Sequence, residues 1–439
     1  MLMQVVSSWG NVIRAEHTIF RLDSRYAPFP DISPLPSILP YGNGRSYGDS
    51  CLNTGAALLQ TRSLDRFISF DPQAGTLTCE AGVLLEEVLR IAVPKGWFVP
   101  VSPGTQFVTV GGAIANDVHG KNHHGYGTFG SHVKRFELLR SDGTRLICSP
   151  SENSDWFGAT VGGLGLTGVV TWAEIQLRRV AGPYVDVETI RFANLDEFLS
   201  LSRESDRDFE YTVAWVDCLG RGSSVGRGLL QRANHAAAAP GSKEKARGAP
   251  LNMPFTPPVS LINAASLRLF NTAYYHRQWG KRKRDTQHYE SFFYPLDAIR
   301  NWNRLYGPRG LYQYQCVLPG PAGRDATAEL LESIAASGFG SFLAVLKLFG
   351  PLQSPGLLSF PREGITLALD FPNRGAPLER LFRELDAIVS AAGGRLYPAK
   401  DGRMPGELFR AGYPRWRELQ QFLDPRCSST FWRRVTEGA

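Results

Sequence analysis

The sequence of 439 residues lacks several features that would identify a class of function at once. It has no GxxxxGK[ST] motif of a P-loop NTPase and no HExxH helix of a zinc protease. Its six cysteines form no CxxC pair, which indicates reduced structural thiols. No run of eighteen apolar residues and no signal-peptide pattern occurs, so we expect a cytoplasmic protein without a membrane span.

A strong excess of charge is also missing. The net charge of +7 and the pI of about 9.1 are mild for this length. No zinc-finger, RNA-recognition or helix-turn-helix signature accompanies the basic residues, so we predict no nucleic-acid partner. One dense basic run, Arg277 with 281–284, is suited to bind phosphate groups or an anionic membrane surface. Peripheral contact with the inner face of the plasma membrane is therefore an open expectation.

Glycine is abundant, with 45 residues, and it is concentrated in four turns near 41–49, 102–112, 114–130 and 160–168. Glycine permits positive φ and close approach of the backbone, and successive N–H groups can bind phosphate. The run 42–48 resembles a dinucleotide fingerprint only superficially, because its third glycine is one place too far and no helical pattern follows. Any one run alone indicates a turn. Four together favour shared contact with a pyrophosphate group.

Two groups of polar residues carry weaker signals. His119, His123 and His124 are close in sequence, but no cysteine or carboxylate lies at ligand spacing, so we predict no metal. Structural histidines are the common outcome, and a histidine beside a redox ring is the sharper hypothesis. Lys400 follows a predicted strand, and composition alone does not single it out.

The pattern of the chain changes near residue 180. Alternating residues predict strands at 76–80, 184–192, 311–318 and 365–371, and a helix should begin at Pro377. We expect Asn194 and Asp325 to cap two further helices. Residues 233–250 are low in complexity and predicted to be mobile. The apolar segment 251–269 is either an irregular core loop or a flap over an apolar substrate.

Long motifs in a constant order resemble a known family. They read YGNGRSYGDS, SPGTQFVTVGGAIANDVHGKNHH, GTFGSHV and ATVGGLGLTGVV, followed by FYPLDAIRNWNRLYGPRGLYQYQCVLP, FLAVLKLFGP, LALDFP and GGRLYPAKDGR. These motifs are similar to the vanillyl-alcohol oxidase family, and within it to oxidases of lipid-linked ribose. The resemblance covers most of the chain except about 218–285.

The resemblance implies an α+β, two-domain, vanillyl-alcohol oxidase-like (PCMH-type) FAD-binding fold. Residues 1–180, completed by 395–439, would form the FAD-binding domain. Residues 181–394 would form a substrate domain on an antiparallel sheet, with a mobile segment at 233–270. The cofactor would be FAD, and no metal is implied.

The same resemblance implies roles for individual residues. The expected FAD-binding residues are Tyr41, Gly42, Asn43, Gly44, Arg45, Ser46, Tyr47, Gly48, Asp49, Ser50, Gly104, Thr109, Val110, Gly111, Gly112, Asn116, Asp117, Val118, His119, Val170, Tyr397 and Lys400. Lys400, His119, Gln315 and Tyr47 would be catalytic, and Gln313, Gln315, Lys347 and Ala368 would contact substrate. Lys400 would stabilise negative charge as a sugar C2′ hydroxyl is oxidised.

Two departures from the wider pattern have consequences. Many relatives attach FAD through a histidine where this chain has Arg45, so we expect non-covalent FAD. Some ribose oxidases carry a cysteine at the position of Ala368, so inhibitors that trap a cysteine should not bond covalently here.

The resemblance further implies partners. A lipid-linked sugar phosphate would be the substrate, and a short-chain NAD(P)H reductase would complete a 2′-epimerisation to the arabinose epimer. Two alternatives remain: a soluble sugar-alcohol or aldonolactone oxidase of the same superfamily, and a non-enzymatic binding protein that uses its basic face.

Overall fold

Three main sheets form the scaffold in the computed structural model, which describes residues 2–237 and 251–437. The first sheet has four strands, in the order Leu2–Ser7, Arg14–Arg21, Ala57–Gln60 and Ile38–Tyr41. Its first pair is antiparallel and the other two are parallel. Two of these strands, Leu2–Ser7 and Arg14–Arg21, lie before the first glycine-rich loop in sequence. The strand Ile38–Tyr41 delivers the chain directly into the first glycine-rich loop.

The second sheet is antiparallel and supports the other glycine-rich loops. Its strands, in spatial order, are Phe67–Asp71, Thr76–Glu80, Val169–Gln176, Val133–Leu139 and Arg145–Cys148. A two-stranded ribbon, Trp97–Phe98 with Arg178–Arg179, flanks it. Helix Leu85–Ala92 buries Leu85, Val88, Leu89 and Ala92 in the same core. The β-branched and aromatic residues of these strands pack on one another, which fixes the loops at their ends.

The third sheet has eight strands and forms the wall opposite the loops. In spatial order they are Arg282–His288, Tyr184–Phe192, Gly228–His235, Tyr211–Val216, Ala344–Phe349, Gly364–Pro372, Leu311–Leu318 and Arg395–Leu396. Every neighbouring pair is antiparallel. The mixed helices and sheets confirm the α+β class, and this large antiparallel sheet agrees with the expectation.

Helices cover the outer face of the large sheet and the tail of the chain. The longer ones are Leu195–Ser205, Ala264–His276, Gly323–Ser337 and Ala376–Ala391. The shorter ones are Val110–Ala115, His123–Tyr126, Ser154–Thr160, Tyr289–Phe293, Gly406–Gly412, Trp416–Leu419 and Thr430–Thr436. The helix predicted from Pro377 buries the expected stripe of Leu378, Leu381, Phe382, Leu385, Ile388 and Val389.

Three local predictions meet different outcomes. Asn194 does cap its helix, accepting from the backbone N–H of Glu197 at 3.0 Å. Asp325 is not an N-cap, because that helix begins at Gly323 and Asp325 lies in its first turn beside Arg324. The basic run 281–284, predicted to suit phosphate groups or an anionic membrane surface, lies mostly in the edge strand Arg282–His288, where Glu188 of the next strand pairs with Arg284 at 3.0 Å.

The segment 233–270, predicted to be mobile, is only partly described. Residues 238–250 lie outside the described ranges. On either side the chain forms the strand Gly228–His235, the short strand Leu251–Asn252 and the start of the helix Ala264–His276. Leu251, Phe255, Val259, Leu261 and Leu269 are exposed, so the interpretation of 251–269 as a core loop is wrong for these side chains.

Within residues 2–237 and 251–437, none of the helices combines the length and the apolar character that crossing a bilayer requires.

Candidate active site

A cavity of about 680 Å³ lies between the glycine-rich loops and the inner face of the large sheet. Its volume falls within the range of pockets that hold large organic ligands. Most of the predicted site residues line it: Tyr41, Gly42, Asn43, Gly44, Arg45, Ser46, Tyr47, Ser50, Gly104, Thr109, Gly111, Gly112, Asn116, Val118, His119, Val170, Gln313, Gln315, Lys347, Ala368, Tyr397 and Lys400. Residues that lie up to about 360 positions apart in sequence therefore meet in one place.

The first glycine-rich loop presents unpaired backbone donors to this cavity. Among the described residues, none accepts a hydrogen bond from the backbone N–H groups of 43–46. Gly44 has φ +58°, and an added Cβ would lie 2.1 Å from the hydroxyl of Tyr41. Asn43 Nδ2 donates to Phe107 O at 2.7 Å, which ties the loop to its neighbour. Such a run of free N–H groups fits the phosphates of a dinucleotide cofactor.

Arg45 adds positive charge beside these donors. Its guanidinium lies 4.3 Å from the ring centroid of Trp9 and 5.4 Å from that of Phe107. Its buried Nε has no hydrogen-bond acceptor in the described part of the chain. An arginine held by aromatic rings with spare donors fits an anionic ligand. An arginine at this position cannot form the histidyl–flavin bond of covalently loaded relatives, which agrees with the expectation of non-covalent FAD.

The second loop packs closely against the first. Thr109 caps the helix Val110–Ala115 by accepting from Gly112 N at 3.1 Å. A Cβ added at Gly42 would lie 2.4 Å from Thr109 Oγ1, and one at Gly111 would lie 3.1 Å from Ala81 Cβ. Glycine suits both positions because neighbouring side chains occupy the space that a Cβ would need, and the result is a narrow wall for a flat ligand.

Four predicted cofactor contacts do not line the cavity, and for them the expectation of direct contact is corrected. Val110 is fully buried in the core, and Gly48 packs against the backbone of Asp401. Asp49 binds Arg434 at 2.8 Å. Asp117 is fully buried, accepts from Gly130 N at 2.8 Å, and has its pKa raised to about 6 by burial. These residues hold the loops in place from behind.

His119, Gln315 and Lys347 form a connected group on the opposite wall. The hydroxyl of Thr366 donates to Cys316 O at 2.8 Å, so its oxygen is left to accept from Gln315 Nε2 at 3.4 Å. This fixes which end of the Gln315 amide is nitrogen. Gln315 Nε2 then donates its other hydrogen to His119 Nε2 at 3.0 Å.

The proton of His119 is therefore on Nδ1, facing Lys347 Nζ at 3.3 Å. Lys347 Nζ donates to Gly120 O at 3.1 Å, and it can accept from His119 only as a neutral amine. Burial, with like charge from Lys121 and Lys400, lowers the pKa of Lys347 to about 7. Burial and then the charge of Lys347 hold the pKa of His119 well below its usual range. Burial therefore favours the neutral form of both side chains.

Lys400 approaches the cavity from the tail of the chain. Its Nζ lies 4.1 Å from the ring centroid of Tyr47, whose backbone N–H donates to Ala399 O at 2.9 Å. Burial lowers the pKa of Lys400, and the charge of Asp370 opposes this. Burial raises the pKa of Asp370, which accepts from Gln313 Nε2 at 2.5 Å. The phenol of Tyr47 stays protonated because burial raises its pKa well above the usual range.

Sequence reasoning missed three residues of this site. Lys121 lines the cavity and donates from Nζ to Phe293 O at 2.9 Å, and burial lowers its pKa to about 7. Thr366 orients Gln315 through a hydrogen bond. Asp370 is the carboxyl group whose charge raises the pKa of Lys400 against the effect of burial. Only Lys121 carried a usable signal, since it follows His119 by two residues in a stretch already rich in polar groups.

The histidine cluster has structural contacts rather than a metal-binding arrangement. His123 is buried 4.6 Å from the ring of Phe349, and burial lowers its pKa to about 4. His124 bonds to Phe209 O at 3.0 Å. In the described ranges no three His, Cys, Asp or Glu side chains are grouped to hold a metal ion.

Comparison with known proteins agrees with this geometry. Residues 36–149 match a family described as FAD binding domain. The chain is 38% identical over 401 residues to decaprenylphosphoryl-beta-D-ribose oxidase of Mycolicibacterium smegmatis, covering 88% of this chain and 86% of that protein. It is 36% identical over 366 residues to an uncharacterized protein of Streptomyces coelicolor, covering 80% and 97%.

A shorter match reaches the human Delta(24)-sterol reductase, 33% identical over 110 residues, or 25% of this chain and 21% of that protein. The cofactor is therefore FAD, and the free N–H groups of 43–46 fit it. The chain belongs to the family of FAD-binding oxidoreductases that includes the mycobacterial decaprenylphosphoryl-ribose oxidase.

Proposed function

We propose that this chain oxidises the C2′ hydroxyl of a polyprenyl-phosphate-linked ribose to the 2′-keto sugar. The observation that carries the proposal is the meeting of Lys400, Lys347, His119 and Gln315 in a cavity whose other wall is the glycine-rich cradle. The sugar for which the mycobacterial relative is named supports the choice of ribose.

The loops 41–47 and 104–112 would hold FAD, and Val170 and Tyr397 complete that part of the wall. When bound, FAD supplies the two-electron acceptor for the carbon that loses hydrogen. Tyr397 is kept in place by its hydroxyl, which donates to Asn116 O at 3.0 Å. All further chemistry falls to side chains of the chain itself.

Lys400 is suited to assist the reacting hydroxyl group as it loses its proton. Its ammonium, buried in a cavity of low dielectric, stabilises negative charge that develops on the sugar oxygen. Its lowered pKa also makes proton exchange near neutral pH easier than for an exposed lysine. Gln315 is held through Nε2 by His119 and Thr366, so its Oε1 can accept from a sugar hydroxyl without rearrangement of the side chain.

The charge of the cavity favours an anionic substrate. Lys121, Lys347 and Lys400 all line it and are buried. A sugar phosphate would restore the desolvated ammonium groups to their charged forms. A neutral alditol offers no such compensation, which is why a lipid-linked sugar phosphate is preferred over a soluble sugar alcohol.

The proposal includes a partner and a location. The 2′-ketone retains the lipid and needs a hydride from the other face to give the arabinose epimer, so an NAD(P)H-dependent short-chain reductase is the expected partner. The chain would work in the cytoplasm, at the inner face of the plasma membrane where a lipid-linked sugar is found.

The test is anaerobic reduction of the FAD-loaded protein. A polyprenyl phosphoribose should bleach the flavin absorbance, whereas free alditols and aldonolactones should not. Lys400→Ala should stay yellow and lose bleaching by roughly 100- to 1,000-fold, the usual effect of removing one charge-stabilising donor. Lys134→Ala, on a side chain 49% exposed, is the matched control. Bleaching by alditols alone, or full activity in Lys400→Ala, contradicts the proposal.

The partner is tested separately. Without a reductase, the keto sugar should accumulate and react with hydroxylamine; with an NADPH-dependent short-chain reductase added, the arabinose epimer should form instead. Appearance of the epimer from this chain alone would show that no partner is needed.

A further inference from the structure

Residues 251–279 expose an unusual group of large apolar side chains. Leu269 is 75% exposed and Trp279 is 98% exposed. The other members are Leu251, Phe255, Val259 and Leu261. Single exposed apolar residues are common, but several in one segment of a soluble protein mark a surface for another partner. We call these six side chains the apolar tips.

The tips stand on an ordered support. Asn263 caps the helix Ala264–His276, accepting from Ala265 N and Ser266 N, and the helix buries Leu267 and Asn271. Asn271 Nδ2 donates to Asp217 Oδ1 at 2.9 Å. Arg304 donates to Met253 O at 2.9 Å. The exposed side chains are therefore held outward by a fixed backbone.

The charge around the tips has one sign. From 251 to 284 the sequence contains six lysines and arginines and no aspartate or glutamate. Lys281 and Arg284 are partly neutralised, at 2.6 Å from Glu197 and 3.0 Å from Glu188. Arg268 is next to Leu269 in the helix, and Arg277 follows the last residue of that helix. Both are exposed, and neither pairs with a carboxylate in the described ranges. Exposed apolar residues with unpaired cations complement an anionic phospholipid surface.

The same segment adjoins the candidate active site. Leu251–Asn252 pairs in parallel with Ile299–Arg300, and both residues of that partner strand line the cavity. Tyr274, on the helix that carries Leu269, lines it as well. A ligand in the cavity could therefore extend along these residues toward the tips.

We propose that residues 251–279 dock on an anionic phospholipid bilayer, with the apolar tips in the headgroup region and Arg268 and Arg277 on lipid phosphates. Trp279 has the exposure and residue type of an interfacial anchor. The proposal rests on the proposed function, because docking here would let a lipid-linked sugar enter the cavity while its chain stays in the membrane.

The experiment is co-sedimentation of the FAD-loaded protein with vesicles. Vesicles of phosphatidylcholine with phosphatidylglycerol should bind the protein, pure phosphatidylcholine should bind it less, and high salt should release it. Leu269→Ser with Trp279→Ser should lower the partition constant about tenfold for each side chain. Arg268→Gln with Arg277→Gln should remove the preference for phosphatidylglycerol. Tyr26→Ser, at a side chain 74% exposed elsewhere, should change nothing.

Other results separate this inference from the proposed function. Bleaching by a water-soluble phosphoribose with a short prenyl chain should be equal in wild type and the Leu269/Trp279 variant. Equal vesicle binding by these two proteins would overturn the docking surface while leaving the oxidase intact. The docking surface would also be overturned if the wild type bound no lipid and formed a dimer that became monomeric in the Leu269/Trp279 variant. Vesicle binding without bleaching by any phosphoribose would overturn the oxidase and leave the docking surface standing.

Discussion

Lys347 provides a quantitative test of the electrostatics of the cavity. Its pKa falls from an ordinary 10.5 to about 7 because it is buried and its charged neighbours are lysines. Between these values the unfolded chain binds more protons than the folded chain, so this group makes stability rise with pH across that window. The penalty on the free energy of unfolding is about 4 kcal/mol near pH 7 and about 2 kcal/mol near pH 9.

Lys347→Met removes this penalty and keeps most of the apolar stem. We compare the free energy of unfolding of the variant minus that of wild type at two pH values. This difference should be about 2 kcal/mol more favourable to the variant near pH 7 than near pH 9. Loss of the hydrogen bond to Gly120 O shifts the difference equally at both pH values and does not change this result. The assay is urea unfolding of the apoprotein, followed by tryptophan fluorescence at both pH values. Lys134→Met should show no such dependence. A difference between variant and wild type that stays constant with pH would refute the reasoning.

Three further predictions concern the loops and the sheet. Arg434→Met leaves Asp49 and Asp401 buried without their cation, so the free energy of unfolding in urea should fall by about 3 kcal/mol. Arg415→Met is the control: its ion pair with Glu418 is exposed, and the loss should be less than about 1 kcal/mol. Ala368→Cys should gain one iodoacetamide adduct, detected by mass spectrometry. Cys51 of the wild type also lines the cavity, but it should stay unmodified because burial raises its pKa to about 12. Thr366→Val should retain FAD but bleach about tenfold more slowly, because Gln315 loses the acceptor of its hydrogen bond. Thr366→Ser should restore the rate. An unchanged rate in the valine variant would show that Thr366 does not orient Gln315.

The alternation of apolar and polar residues predicted part of the fold from the sequence. The strands Thr76–Glu80, Tyr184–Phe192 and Leu311–Leu318 have the predicted bounds, because apolar and polar residues alternate along much of each, although both faces are largely buried. The strand Arg282–His288 was missed because its side chains are charged or polar, and only pairing with the neighbouring strand makes it a strand. Edge strands are often charged in this way, and no local pattern reveals them.

The candidate site was readable mainly through resemblance. Its glycine turns indicate a cradle, but nothing local brings Gln315 to His119, since their contact depends on the packing of the large sheet against the loops. Asp370 is an ordinary residue in sequence, and only its nearness to His119 marks Lys121. Their unusual protonation comes from burial beside other charged groups, which is a property of the assembled cavity.

The interlock between the first glycine-rich loop and the tail has a consequence for biosynthesis. Tyr47 N bonds to Ala399 O, Thr54 N bonds to Thr430 Oγ1, and Asp49 holds Arg434. The loop emerges early from the ribosome, yet the groups that clamp it are translated more than 340 residues later. Such distant contacts close late in folding. Flavin uptake should therefore follow release of the polypeptide, and a stalled nascent chain should remain colourless even in excess FAD.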